Sequence, residues 1–90
     1  MSRVVGDPGE IRRFAMDLKR FNGGLASQMA VLQTRLNDLG QTWRDQEHAK
    51  FAENFEQTIK ILARFTESAD QYIPFLIRKA EKLEEYLHQR

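Results

Sequence analysis

The chain has no cysteine among its 90 residues. Disulfides, thiolate metal sites and a cysteine nucleophile are thereby excluded, and the redox compartment stays open because such a chain tolerates either state. Proline is scarce, with Pro8 and Pro74 the two present, so little stands in the way of long helices. No stretch approaches the roughly 18 consecutive apolar residues of a membrane span, and the opening MSRVVGDPGEIRRF lacks an apolar core of signal-peptide length. An excess of one charge is missing too: there are 14 basic and 13 acidic side chains, and the two halves of the chain differ little. That balance disfavours nucleic-acid binding and polybasic membrane anchoring. A chain this short holds one domain at most, and its thin core is of the kind often completed by oligomerisation.

What is present is helical periodicity. Asp7-Pro8-Gly9-Glu10 reads as a helix start, with Asp7 as cap, Pro8 in the first turn and Glu10 reaching back as in a capping box; residues 1–6 form a short tail. From there Ile11, Phe14, Leu18, Phe21, Leu25, Met29, Leu32, Leu36 and Leu39 recur at three- and four-residue steps, which predicts one apolar face on a helix over about 8–39. Gly23-Gly24 interrupts this pattern at roughly 0.5 to 1 kcal/mol per glycine relative to alanine, and the helix is expected to continue through the pair. Gly40 is expected to end it in the left-handed C′ conformation.

A bend over 40–45 follows, and either Thr42 or Asp45 caps the next helix. Phe51, Phe55, Ile59, Leu62, Phe65, Ala69, Tyr72 or Ile73, Leu76, Ala80, Leu83 and Leu87 then repeat the spacing over about 46–88. Pro74 predicts a kink near 70–74 or a fresh helix beginning there. Two such faces joined by a short loop fold back antiparallel, setting Leu32 near Phe55, Leu25 near Leu62 and Ile11 near Leu76. Leu83, Tyr86 and Leu87 would overhang the first helix and be exposed in a monomer, while Val31, Ile61, Phe75 and Ile77 lie off the seam. The fold class expected is therefore all-α: an antiparallel two-helix hairpin, a single domain over residues 1–90, dimerising into a four-helix bundle. The residues expected in its core and interface are Ile11, Phe14, Leu18, Phe21, Leu25, Leu32, Leu36, Leu39, Phe55, Ile59, Leu62, Phe65, Leu76, Leu83 and Leu87.

Chemistry-bearing constellations are few. His48 and His88 lie at opposite ends of the second helix with no acidic companions at ligand spacing, so they read as solvated surface histidines and no metal is expected. Glu84-Glu85 belong to an exposed, charged helix end without the burial that tunes a catalytic pKa. Arg12-Arg13 and Lys19-Arg20 form a modest basic cluster, but Glu10 and Asp17 are interspersed and no aromatic platform accompanies them. No phosphate-binding loop, hydrolase elbow or kinase signature occurs. The chain is not expected to be an enzyme, to carry a cofactor or to bind nucleic acid.

The bend carries a family resemblance. Trp43, Asp45 and Phe51, set between two long amphipathic helices, resemble the WXG family of small type VII (ESX) secretion substrates of the early-secreted-antigen type, over roughly residues 8–87. Those proteins are helical hairpins with Trp-x-Gly in the connecting loop and an aromatic eight residues after the tryptophan, the position Phe51 occupies. Asp45 stands where the family has glycine. Many members or their dimer partners also carry Tyr-x-x-x-Asp/Glu after the second helix as an export signal; here Tyr86 is followed at that spacing by Arg90, and Tyr72 by Leu76.

The resemblance implies a homodimer, or a heterodimer with a paralogous hairpin, and a secretion-system membrane ATPase as a further partner that reads a surface including Trp43. It places the chain in the cytoplasm, with export lacking a cleavable signal peptide. In structural terms the indole would cover the open end of the hairpin core, its N–H hydrated or bonded to a loop carbonyl. Competing readings are a cytosolic adaptor or chaperone for a larger partner such as a toxin, and membrane disruption by amphipathic helices.

Overall fold

The structure, a computed structural model, describes residues 6–88; residues 1–5 of the expected tail and the Arg90 end of the tyrosine spacing lie outside them. Helix α1 spans Pro8–Leu39 and helix α2 spans Gln46–His88. They fold back on each other across the bend into a rod of 69 × 19 × 16 Å. Its radius of gyration is 20.4 Å, against about 12 Å for a compact globule of this length. The long dimension is close to the about 65 Å that a 43-residue helix covers at 1.5 Å per residue.

Both helices begin on an aspartate. Asp7 Oδ1 accepts from the amides of Gly9 at 2.9 Å and Glu10 at 3.3 Å, while the Asp7 carbonyl accepts the first helical bond from Ile11. The capping box is not completed: Glu10 turns to Arg13 instead, at 3.9 Å. At α2 the choice between Thr42 and Asp45 falls to Asp45, whose Oδ1 accepts from the His48 amide at 3.0 Å. Thr42 is spent on the preceding helix end, its hydroxyl donating to the Leu39 carbonyl at 3.3 Å.

The expectation for Gly40 is corrected, and of the two alternatives for Pro74 the fresh helix is removed. Gly40 is right-handed, with φ −62° and ψ −14°, because the chain leaves α1 by tightening its last turn: Gln41 donates to Asp38, and both Thr42 and Trp43 donate to Leu39. What glycine supplies at 40 is room, since a Cβ there would sit 3.2 Å from the Asn37 carbonyl and 3.6 Å from the His48 ring. No fresh helix begins at Pro74, and α2 runs through it. The missing amide leaves the Asp70 carbonyl without its helical donor, one lost bond among the many that the packed flanking turns retain.

Gly23-Gly24 also lies within one unbroken helix, and a Cβ added at either glycine would meet nothing within 4 Å.

The seam between the helices is narrow. Its buried members are Ala15, Asn22 and Met29 on α1 and Ile59, Ala69, Ala80 and Leu83 on α2. Small residues let the helix axes approach, and no large side chain is fully buried. Phe14 and Phe21, expected in this seam, lie beside it and are exposed. A run of apolar steps counts both stripes of a helix alike, whereas the partner helix covers only the one centred on Ala15, Asn22 and Met29. Leu83 is the opposite correction: expected to overhang, it is buried, because the chain ahead of α1 reaches it. Gly6 lies so close that a Cβ there would come within 2.9 Å of Leu83 Cδ1 and 3.5 Å of Ile11 Cδ1.

One long edge of the rod is polar. Arg12 donates to Glu84 through Nε at 3.1 Å and Nη2 at 2.6 Å, a fork-shaped pair across the open end of the hairpin. Further along the same edge Asn22 Nδ2 donates to Asp70 Oδ1 at 3.0 Å and to the Thr66 carbonyl at 3.4 Å. Helical side chains lean toward their own N-terminus. In antiparallel neighbours this lets an α1 residue reach α2 partners further from the bend than its own level.

Gly23→Ala and Gly24→Ala should each raise the unfolding free energy by about 0.5 to 1 kcal/mol, read from urea midpoints; a loss would mean that something packs on the bare backbone. The hydrogen bond from Arg12, together with its charge, holds the Glu84 carboxyl below the usual glutamate range. The pair's contribution is therefore complete above the ordinary glutamate pKa and is lost as pH falls through the lowered value. Amide protection in the first turns of α1, corrected for the intrinsic exchange rate, should fall over that acid window in the wild type, and Glu84→Gln should remove this fall.

Candidate interaction face

Thirteen large apolar side chains are exposed among the described residues, including Phe14, Phe21, Val31, Leu32 and Leu39 on α1. On α2 they include Phe51, Ile61, Phe65, Tyr72, Phe75 and Tyr86. Their spacing is regular. Phe14 and Phe21 are seven residues apart, as are Leu32 and Leu39; Phe51, Phe65, Tyr72 and Tyr86 differ by multiples of seven, and Ile61 and Phe75 by fourteen. Residues so spaced stay in one column of a helix packed in a coiled-coil seam. The columns of the two helices lie on the same side of the rod, because Phe21 and Phe65 meet edge to face with ring centroids 6.3 Å apart. Arg12–Glu84 and Asn22–Asp70 occupy the opposite edge. The hairpin is thus a two-helix layer with one apolar broad face and one polar one.

At the bend end this face runs into an aromatic cluster. Trp43 sits half-buried, its ring edge-on to His48 at 4.9 Å and tilted against Phe51 at 6.2 Å; Phe51 in turn stacks on Phe55 at 5.9 Å. The sequence reason is local: Phe51 falls one turn after His48 and Phe55 one turn after Phe51, so all three line the side of α2 over which the bend folds Trp43. Arg44 Nε closes the corner by donating to the Gly40 carbonyl at 3.0 Å. His48 is not the solvated histidine expected. Its ring is half-buried under Gly40, and Nε2 is buried without a hydrogen-bonding partner. His88 is exposed at the far end of α2. No described residue other than glycine has a positive φ, so Asp45 meets no backbone requirement for the glycine of the Trp-x-Gly pattern.

The expected core and interface residues divide three ways. Ile59 and Leu83 are buried; Ile11, Leu18, Leu25, Leu36, Phe55, Leu62 and Leu76 are half-buried along the seam; Phe14, Phe21, Leu32, Leu39, Phe65 and Leu87 are exposed. Sequence reasoning passed over Ala15 and Asn22 as seam centres because small and polar residues carry no apolar signal, although Ala15, Asn22, Met29 and Leu36 keep a strict seven-residue step. Among the described residues there is no group of three or more His, Asp or Glu placed to hold a metal ion, and no helix is long and apolar enough to cross a membrane.

With this geometry established, solved structures of the same shape can be compared with the chain. The chain is similar to the secreted protein EsxB. The wild-type EsxB of Bacillus anthracis strain Sterne aligns at 27% identity and TM-score 0.76, over 91% of this chain and 88% of that one. Its selenomethionine form aligns at 26% identity and TM-score 0.78, over 96% and 98% of the two chains, and a point variant at 26% and 0.80, over 94% and 96%. The likeness thus covers both helices and the bend, and it supports a WXG-type helical hairpin. No family model and no curated protein matches the chain.

Trp43→Ala should loosen the corner but not the rod: amide exchange over the first turns of α2, through Phe55, should accelerate while helical circular dichroism falls little. A large loss of helical signal would show that the indole holds the hairpin itself together.

Proposed function

We propose that this chain is a small non-enzymatic protein of a type VII (ESX-like) secretion system, a substrate or adaptor that acts by pairing its apolar face with a second helical hairpin. The observation that carries this reading is the uncovered face. The accessible surface is 7515 Å², whereas a compact monomer of 10.6 kDa exposes about 5,500 Å². An excess near 2,000 Å² exceeds the about 800 Å² that each partner of a standard stable interface buries. Columns of exposed large apolar side chains such as Phe14–Phe21 and Phe51–Phe65–Tyr72 are a mark of an interaction site. The occupant proposed is a second copy of the chain, packed face to face into a four-helix bundle; a paralogous hairpin in its place is the other outcome of the test.

The link to secretion rests on the likeness to EsxB, a secreted protein, together with Trp43 and Phe51 at the family's spacing. In this reading the protein is made in the cytoplasm and exported without a cleavable signal peptide. The system's membrane ATPase recognises a surface of the bundle that includes the bend. Asp45 replaces the motif glycine there, and since Asp45 serves as the cap of α2, the substitution is compatible with the hairpin. Arg90 stands at the acidic position of the tyrosine export pattern, so a partner that carries the pattern would supply the signal.

Light scattering should give a dimer for the purified chain. Phe21→Glu combined with Phe65→Glu should weaken association at least about tenfold, as loss of central aromatic anchors does; a monomeric wild type, or an unaffected double variant, would overturn the pairing. Release from cells should cease when the ATPase gene is deleted, and an unchanged distribution would overturn the secretion role.

A further inference from the structure

Asn22 is the one polar side chain buried among the described residues, 5% exposed, in the middle of the seam between Ala15 and Met29. It is poorly provided for. Its Nδ2 reaches Asp70 Oδ1 and the Thr66 carbonyl, while its Oδ1 is buried with no partner. A group chosen for stability alone would not stand there, because an unpaired buried acceptor costs free energy that leucine or alanine would avoid. The seam has a weakness that such a group can repair. Its residues repeat every seven, so sliding one helix past the other by seven residues, about 10 Å, re-forms apolar contacts nearly as good.

The column that carries Asp70 reads Ala49, Glu56, Ala63, Asp70, Ile77 and Glu84: acidic at every second heptad and apolar between. A slip of seven therefore sets Asn22 against Ala63 or Ile77 and leaves a buried amide with no carboxylate. Moving the helices in one direction also exchanges Glu84 for Ile77 opposite Arg12. A slip of fourteen would restore acidic partners but displaces the helices by about 21 Å. The bend over 40–45, folded against His48 and Phe51, cannot absorb that without melting helix.

We propose that Asn22–Asp70, backed by Arg12–Glu84, is a register lock: within the slide that the bend allows, acidic residues at alternate heptads of α2 make one alignment of α1 the only one in which both α1 side chains find their partners. The same bonds tie α1 to α2 of its own chain at one height, which keeps the apolar columns of the two helices level, as at Phe21 and Phe65. A single buried asparagine fixing alignment at a cost in stability is a known use of polar residues in coiled-coil seams.

The absence of native cysteine makes the test direct. Cysteines introduced at exposed Ser27 and Lys50, spin-labelled and diluted with unlabelled chains, report the axial offset of the two helices by electron–electron double resonance. The wild-type background should give one narrow distance. Asn22→Leu should melt at an equal or higher temperature yet show added populations displaced by about 10 Å along the rod, and Asp70→Ala should show the same populations. Ala63→Asp, which offers an acidic partner one heptad away with Asn22 intact, should split the distribution too; this variant keeps the test available if the seam substitutions fail to fold. A single unshifted distance in every folded variant would overturn the proposal.

Discussion

The governing constraint is that each of two helices packed side by side can bury only one stripe against the other. Here the stripe is built of small residues, Ala15, Ala69 and Ala80, with Met29, Ile59 and Leu83 filling between them. Close approach is gained by giving up buried volume, and no large side chain ends up fully enclosed. Hydrophobic burial scales with area removed from water, so the hairpin by itself holds a thin share of what its composition could supply. The aromatic residues that would have made a core were placed beyond the seam, on the outer face.

That placement gives the two broad faces different physics. On the apolar side, Phe21–Phe65 and the Trp43–His48–Phe51–Phe55 cluster form a surface of rings rigid enough to present a shape. Along the polar edge the contacts are directional and few, Arg12 to Glu84 and Asn22 to Asp70. Exposed ion pairs add little to stability, and their geometric demands matter more than their energy. One edge specifies how the helices align, and the other side leaves its rings exposed. The likeness to EsxB along nearly the whole of both chains fits a protein whose working part is the length of the rod.

The asymmetry of the two ends follows from the chain path. At the bend, main-chain bonds onto Leu39 and the Asp45 cap are local, made by residues within four positions of each other. At the open end nothing local joins the helices, and closure relies on long-range contacts: Gly6 against Leu83 and the Arg12–Glu84 fork. The bend therefore persists under conditions that fray the open end, where acid removes one of the few holds.

Much of this was legible in the residues themselves. The helix start at Asp7, passage through Gly23-Gly24 and a bend after Leu39 are set by interactions within a few positions, which a sequence displays directly, whereas the choice of Asp45 over Thr42 as the cap of α2 was made by the fold. The seven-residue recurrence likewise dictates that apolar faces exist. Which stripe would be covered was decided only in three dimensions: Phe14–Phe21 and Ala15–Asn22 flank the Leu18–Leu25 column on either side, and the choice between them depends on how closely the partner helix can approach. Tertiary packing also drew Leu83 under Gly6 and gave Asn22 a partner 48 residues away. Local rules carry no information about such distant neighbours, because their free energy exists only once the chain has folded back.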